Sequence, residues 1–92
     1  MTIKVELSRQ AEKDLDRVPQ HVAVKLLAWV KSVKQEGLEQ VRKVPGYHDE
    51  PLKGQRQGQR SIRLSRSYRA IYEVIYEKPI IVQVCEVNKH DY

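Results

Sequence analysis

Apolar and charged residues alternate from Ile3 to Leu7, with Ile3, Val5 and Leu7 on one side of an extended chain and Lys4 and Glu6 on the other. That is the pattern of a half-buried strand. The period then changes. Ser8 carries an oxygen able to cap the helix behind it, in which Ala11, Leu15 and Val18 share a face, and Pro19 ends that helix and suits the first turn of the next. From Gln20 to Glu36 the apolar residues at 22, 23, 26, 27, 30 and 33 form a 3.6-residue stripe, closed by Gly37 as a C-cap. Packing of a helical hairpin on a sheet accounts for that stripe without any further role.

Residues 38 to 59 read as a less regular connection, punctuated by Gly46, Pro51, Gly54 and Gly58. Alternation returns at Ser61-Ile62-Arg63-Leu64-Ser65, with Ile62 and Leu64 directed inward and Arg63 to the opposite face. Ser65-Arg66-Ser67 suits a turn, Tyr68 to Tyr76 is rich in β-branched and aromatic residues, and Lys78-Pro79 breaks the pattern. Ile80 to Val87 is a nearly continuous apolar run, which predicts a central strand covered on both faces. The predicted order is β-α-α-β-β-β without repeats: a helical hairpin packed on one side of a small, antiparallel-rich sheet. The fold class is therefore α+β, with residues 1–92 as a single domain.

No apolar run approaches the roughly 20 residues of a membrane span. The opening Met-Thr-Ile-Lys lacks the apolar segment of a signal peptide, so a cytoplasmic protein is expected. Cys85 is the single cysteine and reads as a buried structural thiol between Val84 and Val87. His21, His48 and His90 lack close metal-ligand spacing. Neither a metal nor another cofactor is expected.

Charge sharpens the picture. The 22 residues from 51 to 72 contain no acid but carry Lys53, Arg56, Arg60, Arg63, Arg66 and Arg69, a local charge of +6. The rest of the chain holds 11 basic and 12 acidic residues, so the formal net charge of +5 is one localised strip. Concentrated arginine attracts polyanions, because each neutralised phosphate releases condensed counterions. Alternation places Arg63 on the open side of the sheet, where Arg69 of the following strand can join it. A meander would also bring the closing Asn88-Lys89-His90-Asp91-Tyr92 beside this face. His90, Tyr92 and the arginines then have the parts for RNA scission: one group takes the 2′-hydroxyl proton, cations stabilise the phosphorane, and an acid protonates the leaving 5′-oxygen.

At these residues the chain resembles the RelE/ParE superfamily of toxins from bacterial type II toxin–antitoxin systems. The segment from Pro51 to Leu64 (PLKGQRQGQRSIRL) is similar to the loop and second strand of the HigB-like branch, Tyr68-Arg69-Ala70-Ile71-Tyr72 to the third-strand motif, and Val87 to Tyr92 to the end of the fourth strand. The resemblance implies a RelE-like fold and a ribosome-dependent mRNA endonuclease that inhibits translation by metal-independent 2′-hydroxyl attack. It implies that Arg63 and Arg69 bind or stabilise the scissile phosphate, that His90 is a catalytic acid/base, and that Tyr92 stands in for a terminal aromatic. Lys53, Arg56, Arg60, Arg66 and Lys89 are the expected RNA-binding residues. Ser61 stands where the RelE branch carries a lysine. The implied partners are mRNA, the ribosome and a cognate antitoxin, forming a hetero-oligomer in which an acidic segment of the antitoxin covers the basic strip. Two alternatives remain on the same scaffold: a ParE-type inhibitor of DNA gyrase without nuclease activity, and a non-catalytic RNA- or ribosome-binding domain.

Overall fold

The computed structural model describes residues 3–89, which form a five-stranded sheet with three helices packed on one face. Strand β1 (Ile3–Leu7) leads into α1 (Arg9–Leu15), α2 (Gln20–Glu36) and α3 (Leu38–Arg42). A 3-10 turn at Pro45–Tyr47, the two-residue β2 (Glu50–Pro51) and a second 3-10 turn at Gly54–Arg56 follow. Strands β3 (Gln59–Arg63), β4 (Tyr68–Ile75) and β5 (Ile80–Lys89) complete the order. Across the sheet the strands lie β1-β5-β4-β3-β2. No described helix is long and apolar enough to cross a membrane.

The α+β architecture and the hairpin match the expectation, and α2 has the predicted limits. Gly37 closes it at φ 89°, a backbone angle that a side chain would strain. Two features differ. The irregular connection contains α3, both 3-10 turns and β2. The sheet is also not a pure meander, because the helices carry the chain back so that β1 pairs parallel with β5 while the other pairings are antiparallel.

Helix α2 supplies Val22, Leu26, Trp29 and Val33 to a core shared with Ile62, Ala70, Tyr72, Val82, Val84 and Val87. Each fully buried side chain of this size contributes about 1.5–3 kcal/mol. The Trp29 and Tyr72 rings meet at 5.1 Å between centroids. Strand β5 is central as predicted, but helices cover only one of its faces, and Ile81 and Gln83 on the other face are half-buried.

β5 also outlasts its parallel neighbour, since Leu7 at the end of β1 pairs with Val84. Side chains of the first helix satisfy the backbone beyond that point. Ser8 Oγ accepts the Ala11 amide at 3.0 Å and donates to the Cys85 carbonyl at 2.6 Å, and the Asp14 carboxylate accepts the Val87 amide at 2.9 Å. The second half of β5 is thereby held as a strand where it borders the basic face.

Candidate functional site

Strand register divides the basic strip between the two faces of the sheet. Ile62 pairs with Ala70 and Ala70 with Val87, and all three belong to the helix-side core, so their neighbours point the other way. On that helix-free face Arg63 lies directly across from Arg69, and Arg69 from Asn88. One row along, Ser61 faces Ile71 and Ile71 faces Glu86; Ser61 and Ile71 are buried and form a floor beside the arginines. Alternation predicts the shared face of Arg63 and Arg69; the register supplies their direct opposition.

Like charges at directly opposed positions repel, so the pair needs compensation. Arg69 Nε donates to Asn88 Oδ1 at 3.3 Å, Asn88 Nδ2 donates to Glu86 Oε1 at 3.3 Å, and the same Glu86 oxygen pairs with Arg56 Nη2 at 2.6 Å. Arg56 Nη1 also donates to Gln59 Oε1 at 3.2 Å. A polar chain therefore runs from the loop arginine across β5 to Arg69. Glu86 was hidden in the sequence by the apolar run that surrounds it, whereas Asn88 stood in the closing polar segment.

Two further residues enter this face from the sheet edge. Glu50 pairs with Ser61 and so shares its face, and His48 Nε2 lies 3.6 Å from Glu50 Oε2. Both side chains are exposed. His48 precedes β2 by two residues, at a point where the backbone turns left-handed (φ 47°, ψ 50°). Sequence reasoning weighed His48 only as a metal ligand and assigned no role to Glu50. A strand of two residues has no readable periodicity, so neither could be assigned to a face.

Arg60 departs from its expected grouping. It pairs with Tyr72 in the register and therefore points to the helix side, where its Nε contacts Asp49 Oδ1 at 2.6 Å. The other Asp49 oxygen accepts the Tyr72 hydroxyl at 2.5 Å, and Arg42 Nε donates to that hydroxyl at 3.4 Å. The Asp49 side chain is only 1 % exposed, whereas Arg56 and Glu86 are 45 % and 25 % exposed. Exposed ion pairs contribute about 0.2–1 kcal/mol and exchange readily, while breaking a buried one costs about 3–5 kcal/mol. Arg56 can trade Glu86 for a phosphate; Arg60 is held by Asp49.

Burial, reinforced by Asp49, pushes the Tyr72 hydroxyl up to about 12 from its ordinary 10.0. The protonated phenol therefore stabilises the fold below pH 10, and this contribution is lost as pH rises toward 12, where the unfolded chain releases the proton more readily. In alkaline unfolding titrations, Tyr72→Phe is expected to show a shallower loss of stability between pH 10 and 12 than the wild type. Parallel slopes would contradict the raised pKa.

Lys53 is exposed before the second 3-10 turn, Arg66 at the β3–β4 turn, and Lys89 at the end of β5 across from Tyr68. His90 and Tyr92 lie outside the described residues. Cys85 sits where the β4–β5 register skips and is half-buried rather than enclosed, with Gln59 Nε2 3.8 Å from its sulfur. Burial raises its pKa, and Glu73 and Glu86 raise it further, so the thiol stays protonated and is a poor nucleophile.

The family model described as the ParE toxin of the type II toxin–antitoxin system parDE matches residues 5–91. No curated protein matches the chain by sequence. Among solved structures, the YoeB/ParE toxin from Agrobacterium tumefaciens is similar at 20 % identity, with 96 % of this chain and 99 % of that chain covered and a TM-score of 0.72. The E. coli DinJ–YafQ toxin–antitoxin complex contains a chain that is similar at 20 % identity, with coverages of 98 % and 94 % and a TM-score of 0.75. A chain of the archaeal RelE–RelB complex from Pyrococcus horikoshii OT3 is similar at 23 % identity, with coverages of 97 % and 96 % and a TM-score of 0.72. At these identities the structural likeness establishes the fold. With the family match spanning nearly its whole length, the chain belongs to the ParE toxin family of type II toxin–antitoxin systems, within the RelE/ParE superfamily.

Proposed function

We propose that this toxin is an endoribonuclease that cuts mRNA on the ribosome by 2′-hydroxyl attack. The observation that carries the reading is the cross-strand Arg63–Arg69 pair on the helix-free face, bordered on one side by Glu50 and His48 and on the other by the Asn88–Glu86 relay. A patch that only bound phosphate would have no use for an exposed carboxylate in its midst, because the carboxylate repels the ligand. A nuclease can use one as a proton acceptor.

In this scheme the Glu50 carboxylate takes the 2′-hydroxyl proton, with His48 Nε2 3.6 Å from it. The 2′-oxygen attacks phosphorus, and Arg63 and Arg69 stabilise the phosphorane as negative charge accumulates. The bond to the 5′-oxygen then breaks, and that oxygen leaves with a proton from an acid, giving a 2′,3′-cyclic phosphate and a 5′-hydroxyl. His90 remains the proposed acid, with Tyr92 as its aromatic companion. Lys53, Arg56, Arg66 and Lys89 are proposed to guide the RNA backbone toward the arginine pair.

The DinJ–YafQ and RelE–RelB structures are toxin–antitoxin complexes, which supports a cognate antitoxin as this chain's partner as well. An acidic antitoxin segment would neutralise the same basic face. A second reading, inhibition of DNA gyrase without RNA chemistry, is favoured by the ParE description of the matching family. Mapping RNA 5′ ends after brief induction separates the two. Cuts inside translated frames are expected; intact mRNA accompanied by DNA damage would replace the nuclease with the gyrase reading.

A further inference from the structure

We infer that the buried Asp49–Arg60–Tyr72 cluster is a positioning device that sets where Glu50 and His48 stand relative to the arginine pair. The inference rests on the nuclease reading for its catalytic consequence. Asp49 lies between His48 and Glu50 in the chain; Glu50 shares the face of Ser61, whereas the Asp49 carboxylate reaches Arg60 and Tyr72 on the helix side. On that side both carboxylate oxygens are engaged, one by Arg60 Nε at 2.6 Å and the other by the Tyr72 hydroxyl at 2.5 Å. The tyrosine is immobilised in turn: its ring packs on Trp29, Arg42 Nε reaches its hydroxyl, and it is fully buried.

The segment needs such an anchor. β2 is two residues long and makes only the Glu50–Ser61 and Pro51–Arg60 pairings, supplemented by the Leu52 amide on the Gln59 carbonyl at 2.9 Å. His48 precedes it in a left-handed conformation, uncommon for a residue with a side chain. A strand this short at a sheet edge frays readily. Asp49 fastens it through the sheet to α2 and α3, so that Tyr72, Arg60 and Arg42 act on the face they do not touch. None of these four residues is placed at the reacting atoms; they are positioning residues.

Tyr72→Phe removes one hydroxyl and keeps the ring on Trp29. With misplacement of a reacting group by about 1 Å costing on the order of 100-fold, this variant is expected to lose roughly 10- to 100-fold in single-turnover mRNA cleavage on programmed ribosomes. Its affinity for the ribosome should stay within about twofold, because no RNA-facing cation changes. The NMR signals of the His48 ring and the Glu50 amide should move. Val5→Ala, a truncation on β1 at the opposite edge of the sheet from β2, controls for lost stability: it should leave cleavage per folded molecule and both signals unchanged. If Tyr72→Phe fails to fold, Arg60→Lys, which keeps the charge but alters the guanidinium contacts to Asp49 and to the Tyr72 hydroxyl, carries the same two readouts. Wild-type cleavage per folded molecule with unmoved His48 and Glu50 signals overturns the inference. If the wild-type protein leaves mRNA intact, the nuclease reading falls and the spectra decide alone: displaced signals support the positioning role, unmoved ones sink it.

Discussion

Replacing Arg63 and Arg69 together with alanine is expected to reduce mRNA cleavage by roughly 1,000-fold or more. Removing one preorganised donor from a developing oxyanion typically costs about 100- to 1,000-fold, and two donors that share a phosphate overlap in effect. A loss of this size corresponds to about 4 kcal/mol of transition-state stabilisation. The fold should survive, because Arg63 is exposed, Arg69 is half-buried, and both point away from the helix-side core. Thermal melting within a few degrees of the wild type would confirm that the loss is chemical. The single-turnover rate on programmed ribosomes is the deciding measurement. Cleavage within tenfold of wild type in the double variant would remove the arginine pair from the mechanism and, with it, the main support for a nuclease.

Glu50→Gln should have a comparable effect for a different reason. The amide has the shape of the carboxylate but cannot accept a proton, and loss of a general base costs about 100- to 10,000-fold. At 57 % exposure the Glu50 side chain contributes little to folding, and its 3.6 Å contact with His48 is a surface interaction. Ribosome affinity should hold or rise slightly, because a negative charge has left a basic face. This combination, a slow enzyme that binds well, distinguishes a base from a binding residue. Glu50→Gln turning over at the wild-type rate would mean that the proton goes elsewhere, and the residues beyond Lys89 would then be the place to search.

Arg56 and Arg60 are four residues apart and look alike in the sequence, yet the fold gives them opposite circumstances. Their surroundings depend on Glu86 and Asp49, which come from other parts of the chain. The acid-free stretch is therefore less basic in space than it is in sequence. Glu86 arrives from β5, Glu50 from the short β2, and Asp49 from just ahead of β2. What remains concentrated is the Arg63–Arg69 pair, and that pair was legible, because each residue sits in a strand long enough for alternation to set its face. The helical hairpin was legible for the same reason: seventeen residues of α2 give an unambiguous period.

The amino-acid sequence by itself determined the elements with a repeating pattern: both helices of the hairpin, the four longer strands, and the face on which Arg63 lies. Periodicity is a local property, written into each segment and independent of its neighbours. Only the tertiary structure decided which acids meet which bases. Pairing partners in a sheet come from distant parts of the chain, and a two-residue strand such as β2 takes its register from its neighbour rather than from its own composition. The placement of Glu50 and His48 beside the arginines, and the anchoring of that edge by Asp49, are consequences of that pairing.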